Sequence, residues 1–155
     1  MLPPSYQYLS HEDMPTWRSE DELITNKLIA GNYKTLEGNI DSDSELIIIW
    51  SDAKEKGISN IEIDPRYNTM IYLIKGSISV AGFGLVEEKS LVVFNNDGNQ
   101  LNITSQSEAQ YLILAGVPID EKVVQQGPFV MNSETDILIA MRDYQMGKMG
   151  ILIEE

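Results

Sequence analysis

Ile58-Ser59-Asn60-Ile61-Glu62-Ile63-Asp64 and, a little further on, Thr69-Met70-Ile71-Tyr72-Leu73-Ile74-Lys75-Gly76-Ser77-Ile78-Ser79-Val80-Ala81-Gly82 decide the fold class. The first segment alternates apolar and polar residues cleanly, the period of a strand with one buried face. The second alternates less cleanly, stops at Gly76 and resumes alternation at once. A lone glycine between two such runs signals a tight turn between strands.

The same texture extends outward in both directions. Upstream lie Leu28–Tyr33 and Glu45–Ser51, the latter β-branched and aromatic-rich, as a buried strand should be. Downstream lie Ser90–Phe94, Gln100–Thr104 and Ala109–Ala115, with the turn cluster Asn95-Asn96-Asp97-Gly98-Asn99 between the first two. About six to eight short strands at this spacing predict an all-β sandwich or small barrel. After Pro118 the pattern changes. Gly127-Pro128 reads as a turn and Ser133, with Asp136 three residues on, as a helix cap. Ile137, Leu138, Met141 and Tyr144 recur at helical spacing, and Gly147 stands where the helix should stop. The organisation expected is a lead-in over 1–22 lying against the barrel, a barrel over 23–119, and 120–155 as a turn and carboxy-terminal α-helix extending the same domain.

Composition narrows the function classes. The chain has 155 residues, 43% of them apolar, enough to fill a core. No apolar run approaches the length of a membrane-spanning helix. Met1-Leu2-Pro3-Pro4-Ser5-Tyr6 has no basic start followed by an apolar run, so no secretory signal is expected and a cytoplasmic location fits. Cysteine is absent, which excludes disulfides and thiolate metal sites. The 24 acidic and 11 basic residues give a formal charge of −13, a surface that repels phosphate backbones and argues against direct nucleic-acid contact.

Two stretches carry a family resemblance. Leu112-Ile113-Leu114-Ala115-Gly116-Val117-Pro118-Ile119 resembles the final barrel strand and turn of the pirins. Val123-Val124-Gln125-Gln126-Gly127-Pro128-Phe129-Val130-Met131-Asn132 is similar to a signature run of the pirin carboxy-terminal domain, as are Asp143-Tyr144 and Gly147-Lys148 with Gly150. Pro3-Pro4-Ser5-Tyr6-Gln7 is similar to the segment joining the two halves of a pirin. The resemblance implies a cupin barrel (double-stranded β-helix, or jelly roll) of the carboxy-terminal type. It also implies bicupin relatives whose amino-terminal barrel holds iron or another transition metal, with links to quercetin oxidation and transcriptional coregulation.

The metal chemistry of such a barrel calls for imidazole nitrogens converging from two hairpins. This chain has one histidine, His11, placed in the lead-in, so no metal and no cofactor is expected. Counting back from Gly76 puts the equivalents of the metal half's ligands on Glu62, Asp64 and Asn68. Glu62 and Asp64 share a strand face, as a chelate requires, but Ile61 and Ile63 hold the opposite face, and burying the isoleucines is the cheaper choice. The Asn95–Asn102 hairpin lacks histidine, and turn chemistry accounts for Asp97-Gly98. Gly82-Phe83-Gly84 is too short for a phosphate loop, and the single histidine leaves no nucleophile-base constellation.

The function expected is that of a non-catalytic cupin acting through protein contacts or as a scaffold. Its surface would be formed by Tyr6, Tyr8, Trp17, Phe129 and Met131 and would be closed by homodimerisation or by a metal-bearing cupin partner. The alternative is a small-molecule-binding or quercetinase-type cupin, possible as one subunit of a split pirin, with a hydrated lumen lined by Glu62, Asp64, Tyr72 and Asn102.

Overall fold

The computed structural model describes residues 6–8, 10, 12–40 and 42–150. His11 and the Pro3-Pro4-Ser5 part of the joining segment lie outside the described residues, as do Met1, Leu2 and the last five residues. The alternating segments become strands: β1 (Thr16–Arg18), β2 (Ile24–Ala30), β3 (Asn32–Tyr33), β4 (Leu36–Glu37), β5 (Leu46–Ala53), β6 (Ile58–Glu62) and β7 (Asn68–Lys75). They continue as β8 (Ser77–Val80), β9 (Gly84–Glu87), β10 (Ser90–Val93), β11 (Gln100–Ser105) and β12 (Ala109–Gly116). Two main sheets result, one of six strands in the order β1-β2-β5-β12-β7-β10 and one of four in the order β6-β11-β8-β9, while β3 and β4 pair as a separate two-stranded sheet. All their pairings are antiparallel. Inward residues of both sheets form one apolar core, including Leu28, Ile49, Ile71 and Ile113 from the larger and Ile61, Ile78 and Ile103 from the smaller. Gly76 makes the turn from one sheet to the other at φ +83°, and a Cβ there would sit 2.1 Å from the Glu108 carbonyl oxygen, so both conformation and space require glycine.

The lead-in contains a strand that the sequence reading lacks. β1 pairs with β2 and forms one edge of the larger sheet. The chain divides into two compact units, Met1–Pro118 and Ile119–Glu155, the second holding the turn and helix read from sequence over 120–155. In the second unit the Gly127-Pro128 turn joins two further strands, β13 (Val124–Gln126) and β14 (Phe129–Met131), and helix α1 follows over Glu134–Gln145. Ser133 caps it as expected, its Oγ accepting the Asp136 amide at 3.2 Å. The buried stripe differs from the expected one. Ile137 and Ala140 are buried, whereas Leu138 and Tyr144 are both 65% exposed. Large apolar residues at helical spacing misled because the small Ala140 takes the inward position.

Candidate functional site

Residues directly opposed on neighbouring strands share one face of a sheet. One inward row of the larger sheet runs from Trp17 through Asn26, Ser51 and Tyr111 to Leu73. The rows flanking it are apolar: Ile24, Ala53 and Ala109 on one side, Leu28, Ile49, Ile113 and Ile71 on the other. Asn26, Ser51 and Tyr111 are wholly buried, and Ser59 and Ser105 of the facing sheet are each 1% exposed. Ser51 Oγ donates to Asn26 Oδ1 at 2.7 Å. Asn26 Nδ2, Ser105 Oγ and the Tyr111 hydroxyl have no hydrogen-bond partner among the described residues. Burial pushes the Tyr111 phenol up to about 12; Ser51 and Ser59 lie near enough to temper that rise without closing a well-formed bond to it. Each buried group left unpaired costs about 1–3 kcal/mol, so a polar layer inside an apolar barrel calls for an explanation.

The sequence-derived ligand positions lie elsewhere. Glu62, Asp64 and Asn68 are exposed, while Ile61 and Ile63, at 2% and 5% exposed, and Thr69, at 5%, hold the inward positions of the same segments. Asp64 takes two bonds from the Arg66 guanidinium, at 3.0 and 2.9 Å, which hold its carboxyl below the usual range. Asn68 Oδ1 accepts Asn96 Nδ2 at 3.1 Å. The expected lumen lining is therefore corrected. Glu62, Asp64, Tyr72 and Asn102 all point away from the core, because Ile61, Ile71, Leu73, Leu101 and Ile103 occupy the buried phase of their strands. The inward donors actually present are uncharged amide and hydroxyl groups, and among the described residues no three His, Asp or Glu side chains converge. That set does not fit a redox-active transition ion, which needs imidazole or carboxylate donors.

The outer face of the larger sheet is the second unusual feature. Two apolar rows cross four strands there: Trp50, Leu112, Tyr72 and Leu91, and beside them Ile48, Leu114, Met70 and Val93. None of the eight is buried; Tyr72, Leu91 and Val93 are 37%, 54% and 66% exposed. A polar clamp bounds the first row, where Asp52 accepts Trp50 Nε1 and Gln110 Nε2, both at 2.9 Å, and pairs with Lys27 at 3.4 Å. The sequence held a signal for this face. Leu46-Ile47-Ile48-Ile49-Trp50 and Tyr111-Leu112-Ile113-Leu114-Ala115 are continuous apolar runs, as in strands covered on both sides.

Of the residues expected to form a docking surface, Tyr6, Tyr8 and Trp17 lie in the first unit and Phe129 and Met131 in the second. Tyr6 and Tyr8 are 94% and 89% exposed. Trp17 is partly buried and stacks on Tyr33 with ring centroids 4.9 Å apart. Phe129 meets Tyr144 edge-on at 6.0 Å within the second unit, and Met131 is partly buried on β14.

Comparison with known proteins follows the same lines. Residues 51–150 match the family described as the Pirin C-terminal cupin domain. Pirin-like protein 2 of Arabidopsis thaliana is 30% identical over 97% of this chain and 49% of its own length. Pirin-1 of the same plant is 30% identical over 97% of this chain and 53% of its own. The chain thus spans about half the length of these curated relatives. A crystal structure of quercetin 2,3-dioxygenase from Acinetobacter baumannii superposes with a TM-score of 0.91 at 24% identity, covering 99% of this chain and 53% of that one, which shows the shared cupin fold.

Proposed function

The chain belongs to the pirin family, matching its C-terminal cupin domain, and from that premise we infer that it works as a non-catalytic cupin through protein contact, docking the outer face of its six-stranded sheet on a second copy of itself. The observation that carries this reading is the pair of apolar rows from Trp50 to Leu91 and from Ile48 to Val93. Contiguous apolar surface rimmed by polar groups marks an interaction site, and here the Asp52 clamp supplies part of the rim. A patch that meets its own copy about a twofold axis closes after one contact, the commonest route to a finite assembly. The pair would set two cupin barrels together, as the bicupin relatives do within one chain. Uncharged inward donors support the non-catalytic part of the reading.

Size-exclusion chromatography with light scattering at micromolar concentration tests it. A dimer is expected for the unmodified chain. The doubly charged variant Leu91→Glu/Val93→Lys should run as a monomer with an unchanged circular-dichroism melt, because both side chains stand on the edge strand β10 and are already exposed. A monomeric unmodified chain overturns self-pairing. So does a dimer indifferent to that double substitution. A stoichiometric complex formed only with a histidine-bearing cupin would likewise overturn it, in favour of a split pirin.

A further inference from the structure

At the edge where β1 stands opposite β6, the two sheets part and leave a cleft of about 330 Å³. Its lining includes Trp17 and Arg18 on β1, Lys34 beyond β3, Asn26 on β2, and Ser59 and Asn60 on β6. Asn26 and Ser59 are 0% and 1% exposed, so the cleft reaches the outer end of the buried polar row. Asn26 is the decisive residue. Its Oδ1 is taken by Ser51, while its Nδ2 donates to nothing among the described residues. Both signs of charge line the cleft in equal number: Arg18 and Lys34, Glu20 and Asp21. Asp21 is already committed, accepting the Ile58 amide at 2.6 Å and the Leu23 amide at 3.1 Å.

We propose that this cleft is a binding site for a neutral, hydroxyl-rich ring of monosaccharide size. A hydroxyl both donates and accepts, so one group can take the idle Asn26 Nδ2–H while bonding to Ser59 Oγ or Asn60. An anion would meet Glu20 and the Asp21 carboxylate, and a cation would meet Arg18 and Lys34. The C–H face of a sugar or cyclic polyol suits Trp17, which Tyr33 holds in place by stacking. The volume falls at the lower end of the range for small-molecule sites, about 300–1,000 Å³. The site lies on the inner side of the barrel edge and is independent of the outer-face contact.

Nuclear magnetic resonance on the whole chain tests the proposal, with D-glucose, D-galactose and myo-inositol as probes and sodium benzoate as the charged comparison. At least one polyol should shift the Trp17 indole and Asn26 side-chain amide signals saturably, and benzoate should not. Trp17→Ala should weaken that binding about fivefold or more, on the scale of one lost contact. The paired substitution Asn26→Leu/Ser51→Ala should weaken it similarly while leaving the thermal midpoint unchanged or higher, since it removes both partners of a buried bond together with the idle donor. The proposal is overturned if no polyol gives a saturable shift, if benzoate binds more tightly than the polyols, or if either variant binds as well as the unmodified chain.

Discussion

The inner and outer faces of the six-stranded sheet are built from the same strands, yet each reverses the usual distribution of polarity. Inside, Asn26, Ser51 and Tyr111 form a polar row between two apolar ones. Outside, Trp50, Leu112, Tyr72 and Leu91 form an apolar row where water would ordinarily meet polar groups. The lesson is that the residues stability requires and those the proposed contacts use separate by row within each face. The isoleucine rows beside the polar layer hold the barrel together, and the two reversals are what stability alone does not require.

Substitutions at adjacent positions of β12 should divide the faces most sharply. Ile113 is wholly buried between Ile49 and Ile71. Ile113→Ala should lower unfolding stability by about 2–5 kcal/mol in a urea titration. Leu112→Ala, one residue away on the outer face, should cost the monomer less than about 1 kcal/mol while weakening self-association. Equal costs at the two positions would break the comparison.

The next effect in size concerns the Tyr111 phenol. Its folded value of about 12 stands above the ordinary value of 10.0. The group therefore contributes stability that is fully present below pH 10 and is lost as the pH rises towards 12, because the unfolded chain ionises first. The phenol's share of the stability lost over that window should be about 2 kcal/mol. Tyr111→Phe should lack this component of the alkaline loss and be near neutral at pH 7, since the hydroxyl it removes has no partner. The same alkaline slope in both proteins would show the phenol to be better solvated than the row implies.

The smallest effect belongs to the cleft mouth. Asp21 ties the turn after β1 to β6 through the Ile58 amide, and hydrogen bonds, foremost that of Ser19, hold its carboxyl below the ordinary 3.8. Its contribution is present above pH 3.8 and fades as the pH falls through the lowered folded value. Asp21→Asn should soften the acid limb slightly and speed amide exchange at Ile58, read by hydrogen-exchange mass spectrometry. Unchanged exchange at Ile58 would remove Asp21 as the tie.

Much of the barrel was legible in the sequence because period-2 alternation is a local property. Ile61 and Ile63 announced the buried phase of their strand, and Gly76 announced the turn beyond the next. The short strands β1, β4, β9, β13 and β14 were not resolved from the sequence, since two- to four-residue pairings leave too little alternation to read. The polar row was harder still, because Asn26, Ser51 and Tyr111 are far apart in the chain and meet only through strand register. One sign was available: Asn26 falls in phase with Ile24 and Leu28, and Ser51 with Ile47, Ile49 and Ala53. The position count that selected Glu62, Asp64 and Asn68 landed on the solvent phase of those segments, where a shift of one residue exchanges inside for outside.

Hydroxyl-radical footprinting of the chain at dilute and at concentrated protein tests the outer-face claim most directly. Oxidation of Trp50, Met70 and Tyr72 should fall as concentration rises, while Phe83, 64% exposed and placed between strands of the smaller sheet, stays equally reactive. Concentration-dependent protection confined to Tyr6 and Tyr8, with Trp50, Met70 and Tyr72 oxidised alike at both concentrations, would contradict it.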